Sequence, residues 1–137
     1  MTTPYPLAGQ RALAEVVSPG TWIAVSGGVG FTNSWSNTGA GVPNAQYRYW
    51  QLLNSVEVIG DVSHASNSGS SSPFTLPSAL IPANQQIYPV YLVCTGGYAN
   101  GTSPPLVTLT GSGQINIQGM PAGTTRVAFH CFFSLDA

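Results

Sequence analysis

The sequence predicts an all-β fold: an antiparallel, jelly-roll-like β-sandwich of eight or nine short strands behind an extended N-terminal arm. Three observations predict it. Apolar residues recur at a period of two, most cleanly where Val56, Val58, Gly60 and Val62 alternate with Glu57, Ile59, Asp61 and Ser63; such alternation marks a half-buried strand. Clusters of Gly, Pro, Asn and Ser separate the apolar runs at short intervals, which is the punctuation of turns. No stretch sustains the 3.6-residue period of an amphipathic helix.

A chain of 137 residues suits one domain, and at that size it buries roughly 68% of its unfolded surface. The expected division is an anchoring arm over residues 1–20 and a sandwich over residues 21–137. Charge is the outlying feature. Charged residues make up 5% of the chain, against an average of about 25%. The cations are Arg11, Arg48 and Arg126, with no lysine, and the acids are Glu15, Glu57, Asp61 and Asp136. Surface cover must therefore come from Ser, Thr, Asn, Gln and Gly, or much of the surface is buried against other copies. The two are compatible, and a symmetric homo-oligomer is the expectation. A net charge of -1 offers nothing to neutralise a phosphate backbone, which sets nucleic acid aside as a partner, and an anionic membrane surface with it. No apolar run reaches the ~18 residues of a spanning helix. The start, MTTPYPLAGQ, lacks the basic and apolar regions of a secretory signal, so synthesis in a cytosol is expected.

Taken in order, the arm carries Pro4, Pro6 and Gly9 and then an ambiguous RALAEVV run stopped by Ser18-Pro19-Gly20. Thr21 to Val25 reads as a short strand, and residues 36–44 as a loop. The central hairpin spans Ala45 to Ser63, with Asn54-Ser55 as its break. A two-residue loop there sets Arg48 opposite Asp61, Trp50 opposite Ile59 and Leu52 opposite Glu57. Arg48 and Asp61 are then a structural cross-strand ion pair, worth about 0.2–1 kcal/mol. Residues 65–72 (ASNSGSSS) read as a flexible loop, 73–77 as a brief strand, and 86–95 as one long apolar strand in which Pro89 implies an edge or a bulge. Gly111-Ser112-Gly113 is a three-residue hairpin loop, and Gly119 to Gly123 a turn. In the last strand Val127, Phe129, Cys131, Phe133 and Leu135 point one way, and Arg126, Ala128, His130, Phe132 and Ser134 the other. Cys94 and Cys131 are expected as buried thiols, a cytosolic product arguing against a disulfide.

Catalytic and metal chemistry finds little support. Glu57 and Asp61 lie on one face of one strand, four residues and about 13 Å apart, too far for a retaining carboxylate pair; they read as exposed solubilising charges. There is no G-x-S-x-G elbow. His64 and His130 read as hydrogen-bonded structural histidines, and the scattered acids offer no metal spacing. No catalytic residue, metal or cofactor is expected. The aromatics Trp35, Tyr47, Tyr49, Trp50 and Tyr98 form either a sugar-stacking platform or core and subunit interface. Gln114, Asn116 and Gln118 form an uncharged polar stripe that suits a glycan or an interface about a symmetry axis.

The order of motifs then becomes informative. The run SWSNTGAGVPNAQYRYW with VEVIGDV, followed by SPFTLPSALIPANQQIYPV and LVTLTGSGQINIQG, resembles the C-terminal β-sandwich domain of actinobacterial tailed-phage tail-fibre and minor tail proteins. Trp35, Gly39, Gly41, Tyr47, Arg48, Val56, Val58, Gly60, Phe74, Thr75, Leu76, Pro77 and Pro82 carry the match, over about residues 33–135. The late hairpin departs from it, with Gly111-Ser112-Gly113 where Asp-Gly is usual. The resemblance implies a non-catalytic virion protein, commonly a homotrimer, on the exterior of a phage particle assembled in the host bacterial cytoplasm. A short arm in place of a fibre shaft turns the expectation toward a capsid decoration protein. Tyr5, Leu7, Leu13, Val16 and Val17 would then anchor the arm on the major capsid protein or on tail proteins. The alternative expectation is a tail-fibre-tip or minor tail module that binds host cell-envelope glycan through loops 36–44, 64–72 and 96–104.

Overall fold

The computed structural model describes residues 19–39, 41–89, 91–94 and 105–136, with the side chains of 89 and 91–94 excepted. Among them the fold is all-β and every strand pairing is antiparallel. The described residues form eight strands: β1 (Ile23–Ala24), β2 (Ser36–Asn37), β3 (Gln46–Trp50), β4 (Ser55–Thr75), β5 (Gln86–Pro89), β6 (Tyr91–Cys94), β7 (Leu106–Leu109) and β8 (Gln114–Ser134). They form one sheet in the order β1-β3-β4-β8-β7-β5, with β2 on β4 and β6 on β8.

The frame is the pair β4–β8, each 21 residues long. Register slips at four places between Ser63 and Phe74 bend this ribbon, as β-bulges do. The bend folds it over. Phe74, near the end of β4, lies with its ring centroid 6.2 Å from that of Phe129, although Phe129 pairs with Gly60. Phe31 closes edge-on against the same Phe74 at 6.3 Å. The two halves of the ribbon thus become the facing layers of a sandwich. One core fills the space: Val56, Val58, Val62, Val127, Phe129, Cys131 and Phe133 from one layer, Phe74, Leu109, Ile115, Ile117 and Met120 from the other. Gly60 makes room for core side chains of its own layer, because a Cβ there would stand 3.1 Å from both Ala45 Cβ and Phe129 Cζ.

The alternations in both halves of the ribbon are as expected, and the connections differ in three places. The Ser-rich run 65–72 is strand: it pairs with β8 through Asn67, Gly69 and Ser71, so partner pairing overrides its weak intrinsic preference. Gly119 to Gly123 likewise lies within β8. The apolar run 86–95 is two strands with different partners, β5 on β7 and β6 on β8; β5 closes the strand order as an edge, where Pro89 costs no ladder bond. Cys131 is a free, buried thiol, and burial pushes its pKa up to about 12.

The central hairpin also has a different register. Its loop is Gln51 to Asn54, closed by Asn54 N–H donating to Gln51 O at 3.2 Å, with Asn54 at φ 44°. Two extra loop residues move every opposed pair, so Arg48 faces Glu57 and Trp50 faces Ser55. The expected Arg48–Asp61 ion pair is therefore corrected: Arg48 pairs with Glu57 and Asp61 with Arg126.

Candidate functional site

Alternation sends one set of side chains from β3, β4 and β8 into the core and the other set outward. On the first layer the outward set is Arg48 and Trp50 from β3, Glu57, Ile59 and Asp61 from β4, and Arg126, Ala128, His130 and Phe132 from β8. Of the charged side chains among the described residues, all but Asp136 stand on this face. A chain so poor in charge has gathered it in one place.

Glu57 is the hub of one end. Its Oε2 accepts from Arg48 Nε at 2.7 Å and Trp50 Nε1 at 3.1 Å, and its Oε1 meets His130 Nε2 at 2.9 Å. The Arg48 guanidinium lies 4.1 Å over the Trp22 ring and 5.0 Å over Trp50, within cation–π range. Phe132 stands perpendicular to Trp50 at 5.9 Å and is 44% exposed. Burial works to raise the Glu57 carboxyl, but the hydrogen bonds from Arg48, His130 and Trp50 outweigh it and hold the group below its usual value.

Asp61 is the hub of the other end. It is 4% exposed and takes a bidentate guanidinium from Arg126, with Nε donating to Oδ1 at 2.7 Å and Nη2 to Oδ2. Thr38 Oγ1 adds a donor at 2.6 Å. Here too burial raises the carboxyl, and Arg126 and Thr38 together bring it below its usual value. Glu57 and Asp61 are thus not the exposed solubilising charges that the sequence suggests, since each is largely covered and bound to its own arginine. Between the two hubs, over Ile59, Gly60 and Ala128, lies a shallow concavity of about 510 Å³, walled by Pro43, Asp61 and His130.

The expected aromatic platform is divided. Trp35 and Tyr47, each 3% exposed, belong to the core, where Trp35 Nε1 donates to Ser71 Oγ at 2.9 Å; neither can offer a face to a ligand. Tyr49 packs on the core and donates its hydroxyl to Asn54 Oδ1 at 2.8 Å. Of the four that are described, Trp50 alone reaches the outward cluster; Tyr98 lies outside the described residues. So do the arm residues Tyr5, Leu7, Leu13, Val16 and Val17, and loop 96–104. Gln114, Asn116 and Gln118 point outward together on the other layer; Asn116 Oδ1 accepts from Ser70 Oγ at 2.9 Å, and Gln118 Nε2 donates to Thr108 Oγ1 at 3.3 Å. Trp22 and Phe132 were not singled out by residue type. The alternation through 126–135 does place Phe132 beside His130 on the outward side. His130 and His64 each have a partner as expected, His64 Nδ1 accepting from Ser66 N–H at 3.1 Å. Among the described residues, no three His, Cys, Asp or Glu side chains gather as around a metal ion.

No family model matches the chain, and no curated protein matches it in sequence. Among solved structures it matches the crystal structure of the receptor binding protein (gp15) of Listeria phage PSA, with a TM-score of 0.63 and 17% identity, over 92% of this chain and 71% of that one. At that identity the likeness is one of fold, and it adds nothing to the actinobacterial part of the sequence resemblance.

Proposed function

We propose that the chain is a non-catalytic structural protein of a tailed-phage virion and that it serves host attachment at the tail, displaying the Trp22–Arg48–Trp50–Phe132 face outward. The gathering of charge with half-buried Trp22 and Trp50 and exposed Phe132 on one sheet face carries this reading. The fold shared with a phage receptor binding protein supports it. Attachment needs a surface that is rigid before the partner arrives, and the paired arginines and carboxylates hold this one. Because both carboxylates are bound to arginine, neither is free to serve as acid or base, in keeping with a binding role. A homotrimer on the particle surface remains part of the proposal. Capsid decoration is the second reading; it draws on the arm, whose anchoring residues lie outside the described part, so the outward face favours the tail.

The test is immunogold labelling of particles of the encoding phage, with antibody raised against the chain. Label confined to the tail is the expected result. Label spread over the head would replace attachment with decoration, and absence of label from assembled particles would remove the virion reading altogether.

A further inference from the structure

The concavity between the two charged hubs has a composition that selects a class of ligand. Its floor is Ile59, Gly60 and Ala128, which present apolar surface in the middle of the sheet face. Its two ends are polar and differ in kind. At one end is the His130 imidazole, its side chain 63% exposed and its Nε2 held by Glu57. At the other is the Asp61 carboxylate, gripped by Arg126. Ile59 pairs with His130 and Asp61 with Ala128, so His130 and Asp61 are diagonal neighbours. Diagonal positions in an antiparallel pair lie about 7–8 Å apart, room for one six-membered sugar ring with a hydroxyl meeting each end. Phe132, two residues beyond His130 on the same outward side, adds an exposed aromatic ring against which sugar C–H groups can lie.

Charge narrows the class further. Each carboxylate on this face is matched by its own guanidinium, Glu57 by Arg48 and Asp61 by Arg126, and among the described residues no other arginine stands on it. These paired groups offer an anionic polymer no free cation to neutralise its charge, and a cationic ligand no free anion. A polyol loses nothing by the balance: its hydroxyls can donate to remaining carboxylate lone pairs and accept from the guanidinium and imidazole N–H groups.

We propose that the concavity over Ile59 and Ala128 is a subsite for one uncharged saccharide ring, bracketed by His130 and Phe132 on one side and by the Asp61–Arg126 pair on the other. The proposal deepens the host-attachment reading and rests on it for the source of the sugar, a host envelope glycan.

The test titrates the ¹⁵N-labelled full chain with uncharged methyl glycosides of glucose, galactose, rhamnose and N-acetylglucosamine, and separately with a poly(glycerol phosphate) chain as the anionic probe. At least one glycoside should shift the amides of Ile59, Ala128 and His130 while the indole N–H of buried Trp35 stays in place. His130→Ala should weaken that binding about tenfold, the equivalent of ~1.4 kcal/mol, and Ala128→Gln, which fills the floor, should abolish it without changing the rest of the spectrum. Shifts confined to other surfaces, a response to the phosphate polymer alone, or no response to any glycoside would each overturn the subsite. Labelling of the phage's host cells by the fluorescent chain, run in parallel, separates the two readings. If cells are labelled while no glycoside binds, attachment stands and the subsite falls. If glycosides bind at these residues but cells stay dark, the subsite stands and host attachment falls.

Discussion

Glu57→Gln tests the arrangement of the outward face most directly. The substitution keeps the size of the side chain and removes its charge. In the wild type that charge serves Arg48 Nε, Trp50 Nε1 and His130 Nε2. The Glu57 side chain is 12% exposed and that of Arg48 19%, between the exposed pairs worth about 0.2–1 kcal/mol and the fully buried ones whose disruption costs about 3–5 kcal/mol. A loss of about 2 kcal/mol at neutral pH follows. For a domain of this length that lowers Tm by about 8 °C. The sign of the pH dependence is fixed as well. The Glu57 carboxyl is held below its ordinary value of 4.5, so its contribution is complete above that value and is lost as pH falls through the native one. Asp61 is likewise depressed, but it is present in both proteins and cancels in the difference. Urea denaturation followed by circular dichroism should therefore show a gap that is present above the ordinary carboxyl value of 4.5 and narrows as pH falls below it. A variant within about 0.5 kcal/mol of wild type at neutral pH, the range of ordinary surface changes, or a gap that ignores pH, would refute the hub.

Three other outcomes are expected. Phe74→Ala removes the ring that touches both Phe31 and Phe129 across the fold and should cost about 3–5 kcal/mol in chemical denaturation; a cost under about 1 kcal/mol would mean that the two halves of the ribbon do not face each other. Ser34→Gly relieves a non-glycine residue at φ 60° in the turn closed by Trp35 N–H donating to Thr32 O at 3.1 Å, and should raise stability by about 0.5 kcal/mol after the entropy cost of glycine; a lower melting temperature would contradict it. Burial pushes both Tyr88 and Cys131 up to about 12, with the nearby Cys131 adding to the shift at Tyr88. Their contribution is complete below the ordinary values of 10 and 9 and is lost as pH rises toward 12, so melting temperatures should fall on that limb, less steeply in Cys131→Ala at matched starting stability.

The sequence made some elements legible because their signal is local. The period-two alternations of Val56–Val62 and Val127–Phe133 emerged as buried faces, and Gly111-Ser112-Gly113 closes a hairpin with Gly113 at φ 79°. What stayed hidden depends on partners distant along the chain. A Ser and Gly run such as 65–72 has no preference of its own for strand, and it is one because β8 lies beside it. The loop of the central hairpin could be two residues or four, and the choice decided which carboxylate Arg48 would meet. The outward site was half legible. Alternation put Glu57, Asp61, His130 and Phe132 on outer faces, but joining β4 to β8 as neighbours, and bringing Trp22 over Arg48, takes contacts that no local pattern encodes. Trp35 and Trp50 illustrate the same limit: they are alike in composition terms, yet one seals the core and the other braces the surface.

The doubled-over ribbon also decides how the domain carries load. Gly20 N–H donates to Tyr49 O and Leu135 N–H to Asn54 O, both at 2.8 Å, so the two ends of the described chain leave from either side of one short loop, 51–54. Anything joined to either end hangs from that pole. Tension between the two attachments passes through a few residues around this loop, and the rest of the β4–β8 ladder stays out of the force line. The serine-rich bend near residue 67 lies twelve residues past Ser55 on the same ladder, paired to β8 through Asn67 and Thr124, and so stands outside the short path between the two attachments.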